Sequence, residues 1–516
     1  MFSLRSDGSA INEPGQLSTE QGPSDRSLLA LAWVAVGGIM AGLFTSEHFP
    51  ALRVTIGLLT LLVAIGLMTL RLTELSLLSR LFVVLYSLPF AATLGYLYWD
   101  EYVWWRIPPS NITLCKNHLL INEMLTIVIV GLCGLLGGLN ASKMLSQRFL
   151  PGVPAENELN NGSNESPTLG FPWVALLLGL GLLFSWLHAP AKDIFSAAYT
   201  TQQNKVIAQI GISGSYLFSY LLLLLVYVDA DFERPGTWRK RLKMGSLLVV
   251  LGYIVVVLQL MRGDREISGL VGAIGLLYIN YRGRVNTTAA RHRQLRRFAK
   301  LIVPATIVVL TLLTIGSLRH SLRTKPEKRA GLLATIIDGC RQNTWTAVAL
   351  NNLGMAADYR EGNVEYLYGR TYLDYMRSLP PGIVMIQLGY VRPMDTHANP
   401  ARWYRDTGVS AGGMQPAVVP FRNFGILGVL GILFLIGVFI GCVELYCETG
   451  TFAARLLYGC VATTSMLWFW YGDMNVVRAV MGWGILLLAH RSLCQFRFRG
   501  PFVLRSTATV LSANHY

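Results

Sequence analysis

Apolar runs alternate with polar stretches along most of this chain, and the runs at 28–44, 54–70, 81–98, 119–139, 172–188, 212–228, 244–261, 267–281, 301–318, 421–445, 452–470 and 476–490 are the candidates for membrane crossing. Crossing the hydrocarbon core takes about 20 apolar residues, and the eighth run, 267–281, is short of that. The pattern predicts an all-α polytopic membrane bundle of about twelve spans. One interruption, residues 319–420, is far longer than a connection needs. Loops of that length are sites or lids, so function is sought there. The chain then divides into an arm (1–27), nine spans (28–318), the partly helical long loop (319–420), three spans (421–490) and a basic tail (491–516).

Composition agrees with the pattern, because 53 % hydrophobic residues against 14 % charged ones, with a mean hydropathy of +0.44, exceeds what an ordinary soluble protein carries. A net charge of +15 could suggest nucleic acid. The basic residues, however, gather in alternate loops: Arg71 and Arg80; Lys143 and Arg148; Arg239, Lys240, Arg241 and Lys243; the run 282–300; and Arg491, Arg497 and Arg499. By the positive-inside rule that side is cytoplasmic. Both termini then lie inside and the loop 319–420 outside, and an even number of spans returns the basic tail to the basic face. The first 27 residues lack the layout of a signal peptide and read as a disordered cytoplasmic arm. Segment 140–171 reads as a flexible connector. The 7 cysteines show no metal spacing; Cys115 and Cys340 fall in outer loops, where they either pair or stay reduced.

Asp229-Ala230-Asp231 closes the sixth run. Paired carboxylates hold divalent metals in many nucleotide-sugar transferases, but two acids capping a span among basic residues is the simpler reading. Arg262-Gly263-Asp264-Arg265-Glu266 is a compact charged turn at the outer face. It is either a self-neutralising cluster or a pair of guanidinium forks able to clamp an oxyanion. The long loop shifts that balance. Arg360, Arg370, Arg377, Arg392, Arg402, Arg405 and Arg422 all fall on the outer side, where positive charge is under-represented. Their partners are expected to be anionic. The same loop carries Trp345, Tyr359, Tyr366, Tyr368, Tyr372, Tyr375, Tyr390, Trp403 and Tyr404, rings that can cover sugar faces or simply rest on a membrane surface. Segments 332–337 and 345–357 read as amphipathic helical pieces, and the proline and glycine beyond Tyr372 as irregular structure resting on the bundle. Tyr471-Gly472-Asp473 with Arg478 forms a second outer cluster.

Gly369-Arg370-Thr371-Tyr372-Leu373 followed by Pro380-Pro381, the Trp403-Tyr404 pair, Gly412-Gly413-Met414 and Asn423-Phe424-Gly425 leading into a glycine-rich helix resemble the bacterial O-antigen polymerase (Wzy) family of oligosaccharide repeat-unit polymerases. The many-span layout with one large outer loop before the last spans resembles it too. In that family a Glu often precedes the Asn by four residues; here Val419 stands there, so no base carries over to that position. The resemblance implies a fold like that of the polytopic GT-C glycosyltransferases. It also implies a metal-independent enzyme of the bacterial inner membrane that moves a growing glycan from polyprenyl pyrophosphate onto a lipid-linked repeat unit at the periplasmic face. Membrane lipid and a chain-length regulator are the further partners expected, no nucleic acid is, and no cofactor is required. Candidate bases are His397, Asp395, Asp406, Asp264, Glu266 and Asp473. Candidate substrate-binding residues are Arg262, Arg265, Arg370, Arg402, Arg405 and Arg478 for the phosphates, with Tyr372, Trp403 and Tyr404 for the sugars. A glycan ligase would use the same donor, and a flippase for lipid-linked sugars would instead show broken or charged helices at mid-membrane and repeated halves.

Overall fold

The computed structural model describes residues 50–69, 75–91, 118–149, 169, 171–188, 215–229, 270, 273–277, 365–378, 416–471 and 475–495. Among these the fold is all-helical. The elements are α1 (Pro50–Thr69), α2 (Leu77–Ala91), α3 (His118–Phe149), α4 (Phe171–His188), α5 (Ser215–Asp229), α6 (Arg370–Ser378), α7 (Val418–Glu448), α8 (Phe452–Tyr471) and α9 (Asn475–Gln495). Each of these except α6 overlies one of the apolar runs. Three stretches, Asn122–Ser142 in α3, Val418–Glu448 and Asn475–Gln495, are long and apolar enough to cross a membrane. The runs 28–44, 244–261 and 301–318 lie outside the described residues, and 267–281 is described only at 270 and 273–277.

Two boundaries differ from the sequence expectation. The region read as a flexible connector from residue 140 is helical through Phe149, because the chain from Asn140 on contains no glycine or proline until Pro151. The last helix likewise runs to Gln495, five residues into the predicted tail.

The largest helix-to-helix contact joins α3 to α7, two segments nearly three hundred residues apart. Lipid supplies no hydrophobic drive for helices to associate, so they hold each other by close packing, which small residues permit. A methyl group built on Gly134 would lie 2.5 Å from the carbonyl oxygen of Leu430. One on Gly138 would collide with the carbonyl of Phe434, and one on Gly437 with the carbonyl of Leu135. At Gly441 it would meet the Ser142 hydroxyl. These contacts advance together along both chains, so α3 and α7 run side by side in the same direction. Toward the outside α7 exposes Leu427 and Leu435, and such a surface suits hydrocarbon rather than water.

Around this pair, the Tyr86 hydroxyl of α2 donates to the Val128 carbonyl of α3 at 3.0 Å, and Phe82 meets Trp468 of α8 edge to face at 4.8 Å. The α8–α9 hairpin is tied by the Trp483 indole donating to the Ala453 carbonyl at 2.9 Å. The first turn of α2 has backbone N–H groups with no partner in their own helix, and the Glu444 carboxylate of α7 takes one of them: Ser79 N–H donates to it at 2.9 Å, and the Ser79 hydroxyl bonds its second oxygen.

Replacing Gly138 with Leu should disrupt the α3–α7 contact at a cost of about 1–3 kcal/mol or more, as overpacking does. A thermal unfolding midpoint in detergent checks this against Gly431→Leu. No atom lies within 4 Å of a methyl built on Gly431, so that variant should match the wild type.

Candidate functional site

Near its start α7 is broken. Gly425 has φ 65° and ψ −155°, a conformation essentially reserved for glycine. The chain before it folds back over the helix that follows. A methyl built on Gly428 would lie 2.8 Å from the Pro420 carbonyl oxygen and 2.5 Å from Phe424 Cβ. Asn423-Phe424-Gly425 is therefore an elbow, and Gly428 is the surface against which the upper arm rests. The straight part below it, residues 426–448, matches the roughly 20 residues a bilayer crossing needs.

Breaking the helix at Gly425 takes two carbonyls, those of Arg422 and Asn423, away from the partners they would have had in a continuous helix. A segment of the long loop satisfies both. Leu367 N–H donates to the Arg422 carbonyl at 2.9 Å, and Tyr368 N–H to the Asn423 carbonyl at 3.0 Å. The buried Asn423 side chain completes the joint. Its amide nitrogen donates to the Val419 carbonyl at 2.8 Å. Its oxygen accepts from Gly369 N–H at 2.9 Å and Thr371 N–H at 3.4 Å. That oxygen caps α6 from another segment, as an Asn just before a helix caps its own first turn. Arg370–Ser378 is thus a nine-residue helix resting on the bundle, and the stretch expected to be irregular, from Pro380 on, lies outside the described residues.

Rings fasten the same junction. Tyr372 stacks on Phe424, centroids 6.1 Å apart and 10° from parallel. Tyr366 meets Phe421 edge to face at 6.2 Å. From α9, the Arg478 guanidinium lies over the Tyr375 ring, 5.5 Å from its centroid, and donates to the Asn475 carboxamide oxygen at 3.1 Å. Both Arg370 and Arg478 are exposed, whereas Arg422 is buried. The carboxylates of the described loop segment are Glu365 and Asp374.

Of the residues expected to hold substrate, Arg370, Tyr372 and Arg478 meet in this one junction of α6, the elbow of α7 and the start of α9. Arg262, Asp264, Arg265, Glu266, Asp395, His397, Arg402, Trp403, Tyr404, Arg405, Asp406 and Asp473 lie outside the described residues. Sequence reasoning listed Asn423 only as part of a motif and did not foresee its bonds. The signal was there: the start of α6, Gly369-Arg370-Thr371, has no Ser, Asp or Asn at its edge to act as its own cap.

A second polar cluster closes the opposite end of the bundle. Asp229, the described acid of the Asp-Ala-Asp motif, accepts from Leu169 N–H through both oxygens at 3.2 Å and bonds His490 Nε2 at 2.7 Å. Phe452 stacks on the His490 ring at 4.0 Å. The carboxylate thus serves the chain entering α4 and a histidine of α9, and the partner 261 positions away could not be read from the motif.

Replacing Asn423 with Ala removes the cap of α6 at about 1–2 kcal/mol. Hydrogen exchange across 365–378 should rise several-fold while that of α3 and lower α7 stays unchanged; equal protection in the variant would show that the ring contacts alone hold α6.

No family model, curated protein or solved structure matches this chain.

Proposed function

We propose that the chain is a multi-pass protein of the bacterial inner membrane, with about twelve spans and both termini cytoplasmic, that polymerises polyprenyl-pyrophosphate-linked glycan repeat units at the extracytoplasmic face. One observation carries the reading: the two segments that resemble the O-antigen polymerase family, 369–373 and 423–425, are far apart in sequence yet bonded to each other through Asn423. Their union sets an exposed arginine at the head of α6. The orientation has support as well. Ser79 with Glu444, and Leu169 with Asp229, Phe452 and His490, are all sequence-predicted inner-side residues, and they make contact with one another. Thr371, Asn423, Tyr375 and Arg478, predicted outer-side, do the same.

In the proposed reaction the acceptor hydroxyl oxygen of a lipid-linked repeat unit attacks the anomeric carbon of the donor glycan. The bond from that carbon to the diphosphate oxygen breaks, and the bonding pair leaves with the lipid diphosphate. Guanidinium groups favour this departure because they stabilise the charge that grows on the leaving oxygen. That role is assigned to Arg370 and Arg478, both exposed at the α6 junction, and, from the sequence, to Arg262, Arg265, Arg402 and Arg405. The hydroxyl proton passes to one of Asp264, Glu266, Asp395, His397, Asp406 or Asp473.

Purified protein incubated with lipid-linked repeat units should yield a ladder of products resolved by size. Arg370→Ala and Arg478→Ala should each slow ladder growth by about 10- to 100-fold, the worth of a hydrogen bond to a charged group. Lys at either position should restore only part of it, and Arg265→Ala should abolish the ladder. Single-step transfer of finished glycan onto a lipid core, with no ladder, would make the protein a ligase and end the polymerase reading.

A further inference from the structure

Tyr368 is the described non-glycine residue with a left-handed backbone, φ 45°. Such a conformation is costly for a residue with a bulky side chain, and Gly or Asn adopts it with far less strain. The strain is not forced by the fold's need for a ring there. Tyr368 serves the joint through its backbone N–H alone, which donates to the Asn423 carbonyl, and Gly369 next to it already supplies a left-handed residue, φ 86°. Among the tyrosines of this segment, Tyr366, Tyr372 and Tyr375 each have their ring against Phe421, Phe424 or Arg478. Tyr368 has its residue surface 78 % exposed. The fold therefore holds a strained backbone whose visible product is one ring presented outward, two residues before the exposed Arg370.

Strain kept at a single residue is a pointer to function when nothing structural repays it. An aromatic anchor at a bilayer surface needs no unusual backbone, since the interfacial Tyr of ordinary helices do without one. On α6 the exposed apolar residues Leu373 and Met376, one turn apart on a regular helix, fill that kind of role already. A ring fixed at a set angle beside a guanidinium suits a ligand with a flat apolar face next to an anion, and a sugar attached to a diphosphate has both. We infer that Tyr368 is a glycan-binding residue, its ring stacking on a sugar of the lipid-linked repeat unit whose diphosphate Arg370 engages. This rests on the proposed function and names a contact of that same site.

The test compares Tyr368→Asn, which tolerates the left-handed backbone but has no ring, with Tyr368→Phe and Tyr368→Trp, which keep a ring. Expected for Asn is an unfolding midpoint at or above wild type together with a KM for lipid-linked repeat units raised about tenfold, the worth of one stacked aromatic contact. Its kcat should change little, and Phe and Trp should stay near wild type. An Asn variant with wild-type KM would leave Tyr368 a turn residue and overturn the inference. A second measurement does not depend on turnover: 3-fluorotyrosine placed at position 368 and observed by fluorine NMR. Its resonance should shift on adding the lipid-free repeat-unit oligosaccharide. No shift with sugar, but broadening by a paramagnetic lipid, would make the residue a bilayer anchor and overturn the inference. A sugar-induced shift in a protein that forms no polymer would instead leave the contact standing and remove the polymerase reading.

Discussion

The structure depends on backbone reaching backbone along α7 with no side chain between. At Gly437 the neighbour is the α3 backbone, and at Gly428 it is the helix's own upper arm. Where hydrophobic burial gives no preference for one helix partner over another, such steric notches decide which helices touch and at what height. The α3–α7 contact fixes the lower part of α7, and the elbow at Gly425 is built on that fixed part. A binding site carried on a clamped helix holds its geometry better than one carried on a loop.

The elbow creates a problem of hydrogen bonding that the long loop solves. A broken helix near a membrane strands carbonyl groups, and each stranded group costs free energy unless another partner is found. The segment ahead of α6 brings backbone N–H groups to the Arg422 and Asn423 carbonyls, while α6 itself has N–H groups at its start that need an acceptor. Asn423 answers that need because a carboxamide can donate to its own helix and accept from another at once. An Asp would lose the donor, and a Ser would not reach both. The identity of this residue follows from the geometry around it.

The sequence made the apolar runs plain, since each crossing must be long and almost uncharged, and eight described helices overlie them. Hydropathy averages around a helix, however, so it could not tell that Gly134, Gly138, Gly437 and Gly441 share an interface. The helix α6 was hidden because its cap lies more than fifty residues later in the chain, and local reading sees only glycine and proline around it. Position 419 stood out for lacking the family's Glu, and the structure gives its backbone a use, as acceptor for Asn423. His490 drew no attention at all; its partner Asp229 is remote in sequence and its role is visible only in three dimensions.

The two ends of the bundle use charge in opposite ways. At one, Glu444 and Asp229 are buried and bonded to the chain at helix starts and to His490. At the other, two exposed arginines share the junction with the exposed Glu365 of the same loop segment: Arg478 reaches over Tyr375, and Arg370 stands at the head of α6. Guanidinium groups keep their charge at any physiological pH and engage phosphate through paired donors. An anion that approaches from the bilayer surface at the α6 end would meet these exposed guanidinium groups. The proposed transfer needs them there, because the diphosphate must be received on the face where the sugar is handed on.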